Sequence, residues 1–207
     1  MAQATGPEAP QRWVSRTGRE FIIRPIVPAD EEELVAFGKR LSPRSVRQRF
    51  LTPRVDFDSA YWRQFVHQLT NVDYHRRTAF VVTNPDEAAI RAVGRYEEDG
   101  PGSAEVALAV EDSLQGQGIG TELLYHLADH ARAHGYATFT AWMLAENIQM
   151  RDVFRYSGFP CRFVPAGNLV SVRLDIRERP ACPPWRLTAG AAVGEGRATP
   201  PPAPAPG

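Results

Sequence analysis

Ala104-Glu105-Val106-Ala107-Leu108-Ala109-Val110, a short acidic turn, then Gln115-Gly116-Gln117-Gly118-Ile119-Gly120-Thr121: a β-prone run feeds a glycine-rich loop, and the loop feeds a helix. Within Thr121–His134, Leu123, Leu124, Leu127, Ala128 and Ala131 share one helical face. Glycines let backbone N–H groups converge with no side chain in the way, and the positive end of the helix dipole adds to them. Such a loop is an anion site suited to phosphate or pyrophosphate. A Walker loop needs lysine before Ser or Thr, and Gly120 precedes Thr121 here. A dinucleotide fingerprint needs a third glycine where Thr121 stands, on the first strand of a parallel unit. The pattern that remains is Gln115, Gly118 and Gly120, spaced Q-x-x-G-x-G.

Outward from the loop, element types alternate. Downstream, Gly135 ends the helix, Tyr136–Leu144 reads as a strand, Ile148–Tyr156 as a helix closed by Gly158, and Cys161–Val164 with Leu169–Ile176 as a terminal strand pair. Upstream, Phe21–Pro25 is a short strand. Asp30 sits at a helix N-cap before three glutamates, Ser42-Pro43 opens a second helix, and Asp58–Leu69 forms a third. Thr78–Thr83, Ala89–Tyr96 and Ala104–Val110 make an antiparallel meander with turns at Asn84-Pro85-Asp86 and Asp99-Gly100-Pro101-Gly102. The fold class is α/β in the mixed α+β sense. Residues 1–19 read as a loose arm, 20–179 as the folded unit, and 180–207, rich in Pro, Ala and Gly, as a disordered tail.

Composition narrows the function. Net formal charge is zero, which disfavours a general nucleic-acid binder or a membrane-surface binder. No run approaches the ~20 apolar residues of a membrane span, and residues 1–20 lack a signal-peptide core. Cys161 and Cys182 have no CxxC partner, so neither a disulfide framework nor a zinc site is expected, and the chain reads as cytoplasmic. Lys39 is the only lysine.

The loop in this setting, with Asn147 and Gly158-Phe159 following it, resembles the GNAT acetyltransferase superfamily over about residues 20–176. Ile23-Arg24-Pro25-Ile26 with Ala29-Asp30 and Leu41-Ser42-Pro43 through Arg49-Phe50 look like the GNAT module of bacterial protein lysine acetyltransferases. So do Thr70–Tyr74 and Leu144–Asn147. The resemblance implies a mostly antiparallel twisted sheet of about six or seven strands with about four helices. Coenzyme A would lie in a splay between the strand at Ala104–Val110 and the strand at Tyr136–Leu144. It further implies acetyl-CoA as cosubstrate with no metal, and an acceptor that is a protein lysine or a small-molecule amine. The expected assembly is a monomer or homodimer.

By the same resemblance, amides around Leu108 and Val110 hold the pantetheine arm. Those of Gln115, Gly116, Gln117, Gly118, Ile119, Gly120 and Thr121 hold the pyrophosphate, with Asn147 and Arg151 nearby. Asn147 also reads as a local helix cap. Glu105 is the expected general base: it is a charged residue on a strand whose alternate positions are Ala107 and Ala109, and it matches the family's Ala-Glu-aliphatic pattern. Trp142 stands where Nα-acetyltransferases of ribosomal proteins carry a glutamate, and Phe154 where many members carry a tyrosine acid. Tyr156, about 200° further round the helix, does not simply replace it. Glu111 and Asp112 read as solvated turn residues, and His126, His130 and His134 as a solvated helix face rather than a metal stripe. Arg40, Arg44, Arg47 and Arg49 read as a basic cluster on the acceptor side. Other readings are a noncatalytic acyl-CoA-binding module and a nucleotide-binding regulator.

Overall fold

A computed structural model describes residues 9–180. The strands are β1 (Gln11–Val14), β2 (Glu20–Pro25), β3 (Arg77–Thr83), β4 (Ile90–Gly100), β5 (Ser103–Val110), β6 (Thr138–Leu144), β7 (Cys161–Ala166) and β8 (Leu169–Asp175). The helices are α1 (Glu31–Arg40), α2 (Pro43–Phe50), α3 (Ala60–Thr70), α4 (Ile119–Ala133) and α5 (Ile148–Tyr156). All eight strands form one sheet in the order β1-β2-β3-β4-β5-β6-β8-β7. Every pairing is antiparallel except β5 with β6, the two strands joined through α4.

The sheet therefore has eight strands and five helices, one or more of each beyond the expected number. The extra strand is β1, inside the stretch expected to be a loose arm. It pairs with β2 through a tight turn in which Ser15 N–H donates to Arg19 O at 2.8 Å, and Trp13 stacks on Phe21 at 6.0 Å. Four residues are too few to show periodicity, and one aromatic contact supplies most of the reason for the strand. The expected tail begins at the last described residue, and its remainder lies outside the described residues.

Two cores flank the sheet. One lies under α4 and α5, around Phe80, Leu123, Leu127, Phe139 and Phe154. The other lies under α1–α3, around Ile26, Phe37, Trp62, Val66 and Val81. Gly94 of β4 permits the close approach of α4, because a Cβ there would lie 2.9 Å from Leu108 and 3.0 Å from Leu127. Ser42 caps α2 by accepting from Ser45 N–H at 3.2 Å, and Ser59, rather than Asp58, caps α3. Asp30 stands at the N-cap of α1 but caps nothing there. Its carboxylate turns back to take both Arg24 nitrogens at 2.7 Å and Val27 N–H at 2.8 Å. Among the described residues no helix is long and apolar enough to cross a membrane.

The histidine face of α4 is not solvated. His130 is buried and shares a 2.8 Å hydrogen bond with the Tyr96 hydroxyl, while His126 leans on Phe80 and pairs with Glu122 at 3.4 Å. The apolar face of α4 is wide enough that the histidines flank it under the sheet.

Candidate active site

β5 and β6 are in register only at Ser103↔Thr138, Ala104↔Phe139 and Glu105↔Thr140. Beyond Glu105 the two parallel strands part, leaving the backbone of Val106–Val110 unpaired on that side. The gap opens into a cleft of about 900 Å³, walled by β5, the glycine loop, α5 and the C-terminal half of α2. Such a volume suits a large, extended ligand.

The loop is shaped for an anion. Gly118 is the N-cap of α4 with φ +90°, a left-handed conformation that costs other residues about 1–2 kcal/mol. Gln115 braces the loop, its side-chain N–H₂ donating to Val110 O at 3.1 Å and to Ser45 Oγ at 3.2 Å. Gln117 faces the β1–β2 turn, where its backbone carbonyl accepts Arg16 N–H at 3.2 Å and its side chain accepts Thr17 Oγ1 at 3.0 Å. A Cβ on Gly118 would lie 3.2 Å from Arg16 Nε.

All the donor-site residues expected from sequence line the cleft except Gln117 and Arg151. Arg151 donates to Ala145 O at 3.1 Å and so holds the turn between β6 and α5. Asn147 does cap α5, accepting from Met150 N–H at 3.0 Å, and it is buried in the cleft wall as well. Arg16, Ser45, Arg49, Met150 and Tyr156 also line the cleft. Arg16 is about a hundred residues from the loop, and no local spacing in the sequence ties the two together.

Glu105 sits at the vertex where the strands separate. Strand alternation puts it on the face of the sheet that carries α1–α3, beside Glu97 on β4 and Thr140 on β6. Glu105 is exposed, yet partial desolvation by its neighbours, then Asp99, push its pKa above the ordinary carboxylate value against a lowering pull from Arg49, with Glu97 adding to the rise. Asp99 accepts a hydrogen bond from Thr140 Oγ1. Trp142, two residues along β6, is 47% exposed at the same face.

Two other expectations change. Glu111 is engaged rather than solvated, pairing with Arg91 at 3.1 Å and Arg40 at 3.6 Å, while Asp112 is exposed as expected. Burial opposes the Asp112 charge, but donors at Ser42 and Ser45 outweigh it and hold the carboxyl below its ordinary pKa. The Glu111 charge is thus met by two arginines, whereas Asp112 stays ionised at the cleft wall. The arginine cluster disperses. Arg40 joins Glu33 at 2.8 Å, Arg47 joins Glu146 at 3.2 Å, and Arg49 turns into the cleft. Phe154 is 1% exposed in the core beneath α4, and the exposed Tyr156 lines the cleft wall.

Residues 20–160 match the family described as acetyltransferase (GNAT) domain. An acetyltransferase of Pseudomonas aeruginosa is 34% identical over 155 residues, covering 71% of this chain and 80% of that protein. Acetyltransferase Pat of Mycolicibacterium smegmatis is 31% identical over 140 residues, or 67% of this chain, and the match spans 40% of Pat. Among solved structures, the GNAT domain of S. lividans PAT shares the fold with a TM-score of 0.71 at 32% identity, over 80% of this chain and 96% of that one. Family match, relatives and fold agree with the cleft: the chain belongs to the GNAT acetyltransferase family and is an acyltransferase.

Proposed function

We propose that the protein transfers an acetyl group from acetyl-CoA to the ε-amine of a protein lysine, by direct attack with Glu105 as general base. The observation that carries this reading is Glu105 at the vertex of the β5–β6 splay, on the open face beside Glu97 and Asp99. The kinship with Pat and PAT supports the protein acceptor.

The cleft fits coenzyme A by shape and by chemistry. The α4 N-terminus and the loop amides suit a pyrophosphate, and the unpaired edge of Val106–Val110 offers backbone groups to a pantetheine arm. Acetyl-CoA supplies the acyl group already activated as a thioester. The chain's own task is to deliver a neutral amine. A lysine of pKa ~10.4 is about 3.4 units from neutral at pH 7, a deficit of roughly 4.6 kcal/mol. Glu97, Asp99 and Glu105 attract the ammonium, and Glu105, with its raised pKa, takes the proton directly or through one water. Exposed Trp142 gives a protein acceptor an apolar platform beside the lysine. A thiol of pKa ~8.5 leaves without help, so Phe154 in the core does not stop the reaction.

Incubation with acetyl-CoA and candidate acceptor proteins, acyl-CoA synthetases among them, tests this by mass spectrometry of acetyl-lysine. Fast turnover of a small amine with no protein acceptor overturns the acceptor assignment.

A further inference from the structure

A further, small cavity lies under α1–α3, on the sheet face that carries Glu105. Its walls include the apolar side chains of Ile26, Phe37 and Leu41, yet three hydrogen-bond donors also line it. Trp62 is 5% exposed, and its indole Nε1 is buried with no hydrogen-bond partner. Arg95 is 9% exposed, and its Nη1 is likewise buried and unpartnered. The nearest carboxylate recorded for Arg95 is Glu97, 3.7 Å from Nη2, beyond hydrogen-bond range. Arg49 forms no hydrogen bond or ion pair among the described residues. Burial, then the neighbouring Arg95, push its pKa down to about 10 despite a raising pull from Glu105.

Two buried donors, Arg95 Nη1 and Trp62 Nε1, find no acceptor among the described residues, and the half-buried Arg49 joins them in the lining of one small space. Buried donors in native folds are almost always paired, and an unpaired charged one is the most destabilising kind. The cavity leaves about 30 Å³ for the centres of water-sized spheres, whereas one water needs roughly 10–15 Å³. That is room for a few non-hydrogen atoms. Arg49 and Ala109 line both this cavity and the main cleft, so the two spaces share a wall beside the strand that carries Glu105.

We propose that this cavity is a carboxylate subsite of the acyl-transfer centre, in which Arg49, Arg95 and Trp62 Nε1 bind a carboxylate belonging to one of the two substrates. The carboxylate is either the far end of a dicarboxylic acyl chain, such as succinyl, or a group on the acceptor close to its amine. The inference rests on reading the cleft as the coenzyme A site. The transfer step is unchanged: the thioester C–S bond breaks, the amide C–N bond forms, Glu105 takes the amine proton, and coenzyme A leaves as thiolate. The bound carboxylate takes no part in bond making.

The full chain is assayed in two arms. In the first, butyryl-CoA and succinyl-CoA compete against one amine acceptor; in the second, acetyl-CoA is held fixed and Nα-acetyl-lysine is compared with its C-terminal amide. In one arm the carboxylate-bearing partner should be favoured by about ten- to a hundredfold in kcat/KM, and the arm that responds identifies the source. Arg95→Met should abolish that ratio. Trp62→Phe keeps the ring, removes the N–H and should reduce the ratio severalfold, which covers the case in which Arg95→Met fails to fold. Ratios near one in both arms of the wild-type protein overturn the subsite while leaving the coenzyme A reading intact. Failure of any acyl-CoA to bind overturns that reading, and the subsite with it.

Discussion

The proposed donor side and the proposed acceptor side of the sheet are built on different principles. On the donor side, the loop at 115–121, the start of α4 and the edge of β5 present backbone groups, and their geometry is enforced by glycines and caps. On the acceptor side, Glu105, Glu97, Arg95, Arg49 and Trp62 present side chains from two strands and two helices. A backbone site tolerates side-chain truncation but not changes of dihedral angle; a side-chain site does the reverse. The contrast implies that donor affinity and acceptor chemistry are separable by single substitutions.

The largest expected effect is on the acceptor side. Glu105→Gln should lower kcat by about 10²–10⁴-fold while acetyl-CoA affinity by calorimetry stays the same. The wild-type rate should also fall as the pH drops through the Glu105 pKa, which lies above the usual carboxylate value, and the Gln variant should lose that limb. Equal loss of acetyl-CoA affinity would merge the two sides and break the contrast. Next comes Gly118→Ala, which asks alanine to hold φ +90° and crowds Arg16. A strain of about 1–2 kcal/mol should weaken acetyl-CoA binding by roughly tenfold, with kcat at saturation nearly kept.

Smaller still is Asn147→Ala. The cap on α5 is lost, so the melting transition should reflect about 1 kcal/mol of destabilisation. A loss of acetyl-CoA affinity larger than the loss of stability would mean that Asn147 also contacts the donor. A last prediction concerns stability alone, in the core beneath α4. Burial, then the neighbouring His134 and His75, push the His130 pKa down to about 4 from 6.5. Because the unfolded chain binds the proton first, stability is complete above about pH 6.5 and falls as the pH drops toward 4. Thermal melts across that range should show the slope, and His130→Gln should flatten it.

This division also explains what the sequence could reveal. Glycine spacing, helix caps and strand alternation are local rules, so the loop, α5 and most strands were legible from neighbours a few residues apart. Glu105 stands out in the sequence because it is a charge in an alternating strand beside the loop. Arg95 sits in a strand where its burial depends on Ala79 and Ala107 at its flanks, and nothing local separates it from a surface arginine. Arg49 looked like one member of a cluster until its neighbours found Glu33 and Glu146. β1 was missed because its stability comes from Trp13 on Phe21 rather than from any pattern within the strand. Tyr156 lines the cleft although it does not take the place of Phe154, because an angle about the helix axis does not say where the cleft runs.

The β1–β2 turn has a role that its position outside the family match conceals. Through Arg16 and Thr17 it grips Gln117, the residue of the loop that faces away from the cleft. A glycine-rich segment is otherwise a soft one, and ordering it on ligand arrival would subtract from affinity. Here the turn between β1 and β2, which lies before residue 20, braces the loop as a splint. A chain trimmed to begin at Glu20 would keep every residue of the loop and yet have to freeze it anew with each turnover.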